Sequence, residues 1–218
     1  MAPPVKEILA PLCAIIDTDA AVRAGWPVID LVNAFLDGGA RFLQLRAKSM
    51  PGGQMLETAA AIAALARSCG ARVIINDRAD IARLSGADGV HVGQEDLAPA
   101  AVRAIAGDDA IVGLSTHTVD QLARAASEPV SYLAIGPVFG TTTKATGYDA
   151  VGLGMVREAS RRAAERGLPL VAIGGITLDL APSVIAAGAA SVAVIGDLLS
   201  TGDPSKRTRE FTETLSRR

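Results

Sequence analysis

Aromatic residues are scarce in this chain: four phenylalanines, two tyrosines and one tryptophan make up 3% of 218 residues. The net charge is −2, from 21 basic and 23 acidic residues. Neither a stacking platform nor a basic field is therefore on offer, which argues against nucleic acid as a partner. Cysteine is nearly absent as well, with Cys13 and Cys69 far apart, no CxxC pair and only two histidines. That excludes a disulfide framework and gives no zinc-site pattern, so both cysteines read as buried free thiols of a reducing compartment. No apolar run approaches the roughly 18 residues of a membrane span. The stretch Ile8 to Ile16 is broken by Pro11, preceded by Glu7 and closed by Asp17, and reads as a first strand rather than a signal peptide. These absences leave a cytoplasmic enzyme acting on small molecules, with no membrane partner, as the expected class. What the chain does have is apolar content, 50% of its residues, enough for one large core and one domain spanning residues 1–218.

Strand-like runs alternate with alanine-rich helical runs throughout. Strands are expected at Leu12–Ile16, Arg41–Leu45, Arg72–Ile75, Gly89–Val92, Ile111–Leu114, Val130–Ile135, Leu170–Ile173 and Val192–Ile195. Helices are expected between and after them: Pro27–Leu36, Met55–Ser68 with Gly70 as its C′ residue, Arg78–Leu84, Pro99–Ala106, Val119–Ala126 capped by Thr118, Leu153–Arg166, Pro182–Ala187 and Pro204–Ser216. Eight such pairs predict an α/β fold with a parallel sheet and right-handed crossovers. An open doubly wound sheet usually carries one glycine-rich fingerprint after its first strand, whereas here polar and glycine residues follow nearly every strand. A closed (β/α)8 TIM barrel accounts for that, because it gathers all eight loops at one mouth.

Those loops carry the chemistry. The run Tyr132 to Lys144, YLAIGPVFGTTTK, is a strand emptying into small residues: backbone N–H groups, the hydroxyls of Thr141, Thr142 and Thr143, and the ammonium of Lys144 together suit a phosphate. The spacing is not that of a nucleotide P-loop. After the second strand, Gln44, Arg46 and Lys48 are two apart, so three polar heads share one side of an extended backbone. Asn76 and Asp77 follow the third strand and Asp96 the fourth; Asp77 and Asp96 lie 19 residues apart, one repeat, on adjacent loops of a barrel. One or two carboxylates with substrate phosphate oxygens are the usual way to hold Mg²⁺, the alternative being that each aspartate caps the helix after it. Ser115 and His117 follow the fifth strand, with His117 either a general base or a local hydrogen-bond partner. Gly174-Gly175 and Ile195-Gly196 end the last two strands, where many barrels hold a phosphate.

Taken together, QLRAK, IINDRADIA, GVHVGQEDL, VGLSTHT, AIGPVFGTTTK and VAIGGI, in this order over residues 44 to 176, resemble the thiamine phosphate synthase family. The resemblance implies a (β/α)8 fold that joins a pyrimidine methyl diphosphate to a thiazole phosphate and releases diphosphate with Mg²⁺. It implies that Gln44, Arg46 and Lys48 bind the pyrimidine diphosphate, that Asn76 contacts it, and that Asp77 and Asp96 hold the metal. Ser115 and Lys144 fall on the pyrimidine substrate, and Thr141, Thr143 and Gly174 on the thiazole phosphate; Gly175, Ile195 and Gly196, from the last two strand ends, join them as candidate substrate-binding residues.

Three places depart from the family pattern. Gly140 stands where proline is usual, Ile195-Gly196 stands for a valine-serine pair, and Ala145 to Val151 continues the loop differently. A thiazole tautomerase of the same fold, using His117, and a non-catalytic barrel that binds thiamine precursors are the alternatives. A homo-oligomer is compatible with everything in the sequence.

Overall fold

A computed structural model describes residues 9–125, 127–140 and 147–216. Eight strands, β1 (Leu12–Asp17), β2 (Phe42–Arg46), β3 (Arg72–Asn76), β4 (Gly89–Val92), β5 (Ile111–Thr116), β6 (Tyr132–Ile135), β7 (Leu170–Ile173) and β8 (Ser191–Val194), pair in parallel in sequence order. β8 returns to β1 through Leu12 opposite Val192, closing the barrel. Each strand is buried on both faces, so each reads as a short apolar run rather than a polar–apolar alternation.

The period of two is nevertheless present, because successive side chains enter different cores. Leu12, Ala14 and Ile16 of β1 pack outward with Leu43, Leu45, Val73 and Val90 against the helices. Cys13 and Ile15 point into the barrel, where they meet Phe42, Ile74, Tyr132, Val171 and Ala193. Continuing in the phase of Phe42 carries Gln44 and then Arg46 up the barrel interior toward its C-terminal mouth.

The helices form the outer ring. α2 (Val28–Asp37) buries Leu31, Val32, Phe35 and Leu36, and α3 (Gly52–Ser68) buries Met55, Ala59, Ile62, Ala63 and Ala66, each set a single helical stripe. α3 ends as its glycine implies: Gly70 takes φ +66, its N–H donates to the Arg67 carbonyl, and the Ala71 N–H donates to the Ala66 carbonyl at 2.8 Å. α4 (Ala79–Ser85), α5 (Pro99–Ala106), α6 (Val119–Ala125), α7 (Gly152–Ala164) and α8 (Ala181–Ala186) follow in turn, and α10 (Pro204–Ser216) packs on α2 and buries Phe211 and Leu215. Thr118 caps α6, its hydroxyl accepting from the Gln121 N–H at 3.2 Å.

Two short helices have no counterpart in the periodicity: α1 (Thr18–Arg23), started by Asp17, and α9 (Gly196–Leu199) after β8. Both are too short for an amphipathic repeat to show. The cysteine reading is half corrected. Cys13 is a buried free thiol in the barrel, whereas Cys69, at the C-cap of α3, is exposed, because a helix end on the outer ring faces solvent.

Candidate active site at the barrel mouth

The C-terminal ends of the strands enclose a cavity of about 410 Å³ that runs from the mouth down to Cys13, Ile15, Val171 and Ala193. Its floor is apolar and its rim polar. Of the residues singled out in the sequence, Gln44, Arg46, Lys48, Asn76, Asp77, Asp96, Ser115, Gly174, Gly175, Ile195 and Gly196 all line it. Thr141, Thr143 and Lys144 lie outside the described residues.

On the β2 side, Arg46 is ion-paired through one Nη to Asp17, its cross-strand neighbour in β1, while its Nε is buried with no hydrogen-bond partner among the described residues. The guanidinium is thus fixed along one edge, and the Arg46 side chain lines the cavity. Asp17 is itself buried and fully engaged, since its other carboxylate oxygen accepts from the Ala20 N–H at 2.8 Å and starts α1. Lys48 reaches across to Asp77.

Asp77 is the one non-glycine among the described residues at positive φ, +64, held there as its N–H donates to the His91 carbonyl at 2.8 Å. Backbone strain of this kind costs about 1–3 kcal/mol and tends to collect where a side chain must be aimed. Burial, and then the neighbouring Asp96 carboxylate within hydrogen-bond reach, push the Asp77 carboxyl above the usual carboxylate range, opposed by Lys48. Neither aspartate caps a helix. The N-cap residues of α4 and α5, Arg78 and Ala98, make no side-chain cap hydrogen bond, and Asp96 accepts from the Gly93 N–H at 2.8 Å, folding its own loop back toward Asp77. Two carboxylates brought together at a rim are poorly matched to each other and well matched to a hard divalent cation. No group of three or more histidine, cysteine or acidic side chains suited to a metal occurs among the described residues, so a metal here needs oxygens from a ligand as well.

A polar chain crosses the barrel interior that sequence reasoning did not single out. Tyr132, fully buried, bonds through its hydroxyl to His91 Nδ1 at 2.9 Å, and His91 Nε2 bonds to Ser115 Oγ at 2.8 Å. One signal available was that His91 and Ser115 share the inward phase of adjacent strands. His117 also lines the cavity. Its Nδ1 meets the Gly136 carbonyl, so Nδ1 carries the proton, and the ring stacks on Tyr148 with centroids 4.0 Å apart.

On the opposite wall, Gly174 and Gly175 take φ +103 and +63. A Cβ on Gly174 would come within 2.5 Å of the Pro137 Cα, and one on Gly175 would collide with the Gly140 carbonyl. Both glycines are therefore demanded by the packing of this turn against the β6 loop as well as by any ligand. Among the described residues, nothing lies within 4 Å of a Cβ placed on Gly140. Below Gly196, Asp197 ties this wall together: it accepts from the Leu178 N–H at 3.1 Å and from Arg207 at 2.8 Å.

Comparison with known proteins agrees with this arrangement. The family model for thiamine monophosphate synthase matches residues 12–198. The thiamine-phosphate synthase of Roseiflexus castenholzii is 39% identical over 201 residues, 92% of this chain and 87% of that protein. That of Moorella thermoacetica is 40% identical over 193 residues, 88% of this chain and 90% of that protein. The solved structure of a thiamine phosphate pyrophosphorylase from Pyrococcus furiosus superposes with a TM-score of 0.86 at 29% identity, covering 97% of each chain.

Proposed function

Because the chain belongs to the thiamine monophosphate synthase family, we propose that it is a thiamine phosphate synthase, joining 4-amino-5-hydroxymethyl-2-methylpyrimidine diphosphate to a thiazole phosphate with release of diphosphate. The observation that carries the reading is the meeting of Asp77 and Asp96 at the cavity rim, beside Lys48 and Arg46. A diphosphate leaves only if its developing charge is neutralised, and that rim supplies the means.

In this reading Asp77 and Asp96 hold Mg²⁺, which supplies charge neutralisation to the leaving diphosphate. Gln44, Arg46, Lys48 and Asn76 grip the diphosphate end, and Ser115 and Lys144 complete the pyrimidine site. Thr141, Thr143, Gly174, Gly175, Ile195 and Gly196 take the thiazole phosphate. The bond that breaks joins the methylene carbon to a diphosphate oxygen, whose electron pair departs with diphosphate. The thiazole nitrogen then donates its lone pair to the same carbon. The electron-rich aminopyrimidine supports the cationic methylene between the two events, so no protein nucleophile or strong base is required.

The cavity floor suits that path. Ile15, Val171 and Ala193 make that floor apolar and present no side-chain nucleophile to the cation. Burial pushes the Cys13 thiol far above its usual range, so it stays protonated and offers no competing thiolate. Free Cys13 and Cys69 support a reducing cytoplasm as the protein's place. No helix among the described residues is long and apolar enough to cross a membrane.

One observation favours a second reading, proton transfer on a thiazole: with Nδ1 of His117 committed to the Gly136 carbonyl, Nε2 is the basic nitrogen of the neutral ring. The retained Asp77 and Asp96 speak for the synthase and against a non-catalytic barrel. Purified protein mixed with both substrates and Mg²⁺ is expected to form thiamine phosphate and diphosphate in equal amounts. Isomerisation of a thiazole phosphate without any coupling would overturn the proposal in favour of the second reading.

A further inference from the structure

The hydrogen-bond chain through the barrel interior has a direction, and the direction follows from saturation. Tyr132 is 1% exposed, and among the described residues its hydroxyl has one partner, His91 Nδ1. Burial holds the phenol well above its usual pKa, so the O–H proton is present and must be donated. Nδ1 is the acceptor at hand. A neutral imidazole that accepts at Nδ1 carries its proton on Nε2, and Nε2 therefore donates to Ser115 Oγ. With its oxygen accepting from His91, Ser115 has its own O–H left over, and Ser115 lines the cavity.

The chain is built in, not incidental. Gly113 lies on the inner face of β5 between Ile111 and Ser115, and a Cβ there would run into the Tyr132 ring and come within 2.6 Å of His91 Nδ1. Tyr132 is further held by stacking on His91 and by an edge contact with Phe42, with ring centroids 5.5 and 6.0 Å apart.

We propose that Tyr132 and His91 are positioning residues that act through Ser115, fixing its hydroxyl as a hydrogen-bond donor to an acceptor atom of the pyrimidine diphosphate. The inference rests on the synthase reading for the identity of the ligand, but its polarity does not. Ring nitrogens and phosphate oxygens are both acceptors. Inorganic diphosphate and the unphosphorylated hydroxymethylpyrimidine, titrated separately against wild type and Ser115→Ala, distinguish them, since only the one that Ser115 contacts should bind more weakly to the variant.

Because the chain has only two histidines, their tautomers can be read directly. In ¹⁵N spectra of the ligand-free protein at neutral pH, His91 is expected as the Nε2–H tautomer and His117 as Nδ1–H, with His117→Ala assigning the pair. An Nδ1–H tautomer at His91 would overturn the proposal whether or not the protein makes thiamine phosphate. In kinetics, Tyr132→Phe should lower kcat/KM for the pyrimidine diphosphate about 5-fold, the scale of one ordinary hydrogen bond, and leave the thiazole KM unchanged. In the Ser115→Ala background the same substitution should cost nothing further. An equal cost in both backgrounds would show a merely structural tyrosine and would also overturn the proposal. Absence of any coupling in wild type would defeat the synthase reading, leaving the tautomer measurement to decide the relay.

Discussion

Asp17 is a residue whose removal should hurt through its partner. Its side chain is 2% exposed and that of Arg46 is 17% exposed, so the ion pair between them is mostly out of water. Taking away one member of a buried pair leaves an uncompensated charge and costs about 3–5 kcal/mol. Asp17→Ala also loses the cap on α1, where Oδ1 accepts from the Ala20 N–H at 2.8 Å, for about a further 1 kcal/mol. Asp17→Asn keeps an oxygen for the cap and isolates the charge. Because Arg46 borders an open cavity that admits water, the lower figure applies, about 3 kcal/mol, and at roughly 2–4 °C per kcal/mol for a chain of this size Tm should fall by about 6–12 °C. Two further measurements separate charge from shape. The double variant Asp17→Asn with Arg46→Met should recover most of the loss in urea titrations, since neither charge then remains. Inorganic diphosphate, which can replace the missing carboxylate at the guanidinium, should stabilise Asp17→Asn more than it stabilises wild type. If Asp17→Asn melts with wild type, or if the double variant is no more stable than the single, the buried-charge reasoning is wrong.

The remaining expectations concern the reaction. Coupling should vanish with EDTA and return with Mg²⁺, and Asp77→Ala or Asp96→Ala should each cost at least about 100-fold, or ~2.7 kcal/mol of barrier; full activity in either variant removes the metal assignment. His117→Ala should lower coupling by less than about 10-fold, one decade or ~1.4 kcal/mol, because the dissociative path calls for no strong base; a collapse in a folded variant would instead favour proton transfer on the thiazole. Lys144→Ala should lower kcat and kcat/KM together by weakening charge stabilisation that grows in the transition state, whereas Thr143→Ala should raise the thiazole KM roughly 10- to 150-fold with a smaller change in kcat. Steady-state kinetics with each substrate varied tests that split, and a Thr143→Ala defect confined to the pyrimidine substrate would contradict it.

The barrel was legible because its rules are local and repeated. Every strand is a short apolar run, every long helix shows a stripe such as Leu31, Val32 and Phe35, and the glycines that end helices stand where the helices stop, as Gly70 does with φ +66. Eight repetitions make a closed sheet hard to avoid. What escaped was short or nonlocal. α1 depends on a single capping aspartate at the end of an apolar strand, and α9 is four residues long, so neither carries a periodicity. The exposure of Cys69 likewise escaped, because one residue past a helix end faces inward or outward according to packing rather than spacing.

The site divides along the same line, and the division explains which residues were visible. Gln44, Arg46 and Lys48 announced themselves by being polar and in phase at the end of one strand, and the cavity they line needed no partner residue to be recognised. Asp17, His91 and Tyr132 are different. Each is buried in an apolar strand, where an isolated polar residue reads as a cap or as an ordinary satisfied core group, and each gains meaning only from a neighbour on another strand. Asp17 matters because Arg46 sits opposite it in the β1–β2 register; Tyr132 matters because Gly113 leaves the volume in which its hydroxyl meets His91. Residues that would touch substrate are thus signalled by their own chemistry at a strand end. Residues that aim them are signalled only by a missing side chain or a cross-strand pair, which is why a glycine in the middle of β5 says as much about this site as the serine two positions later.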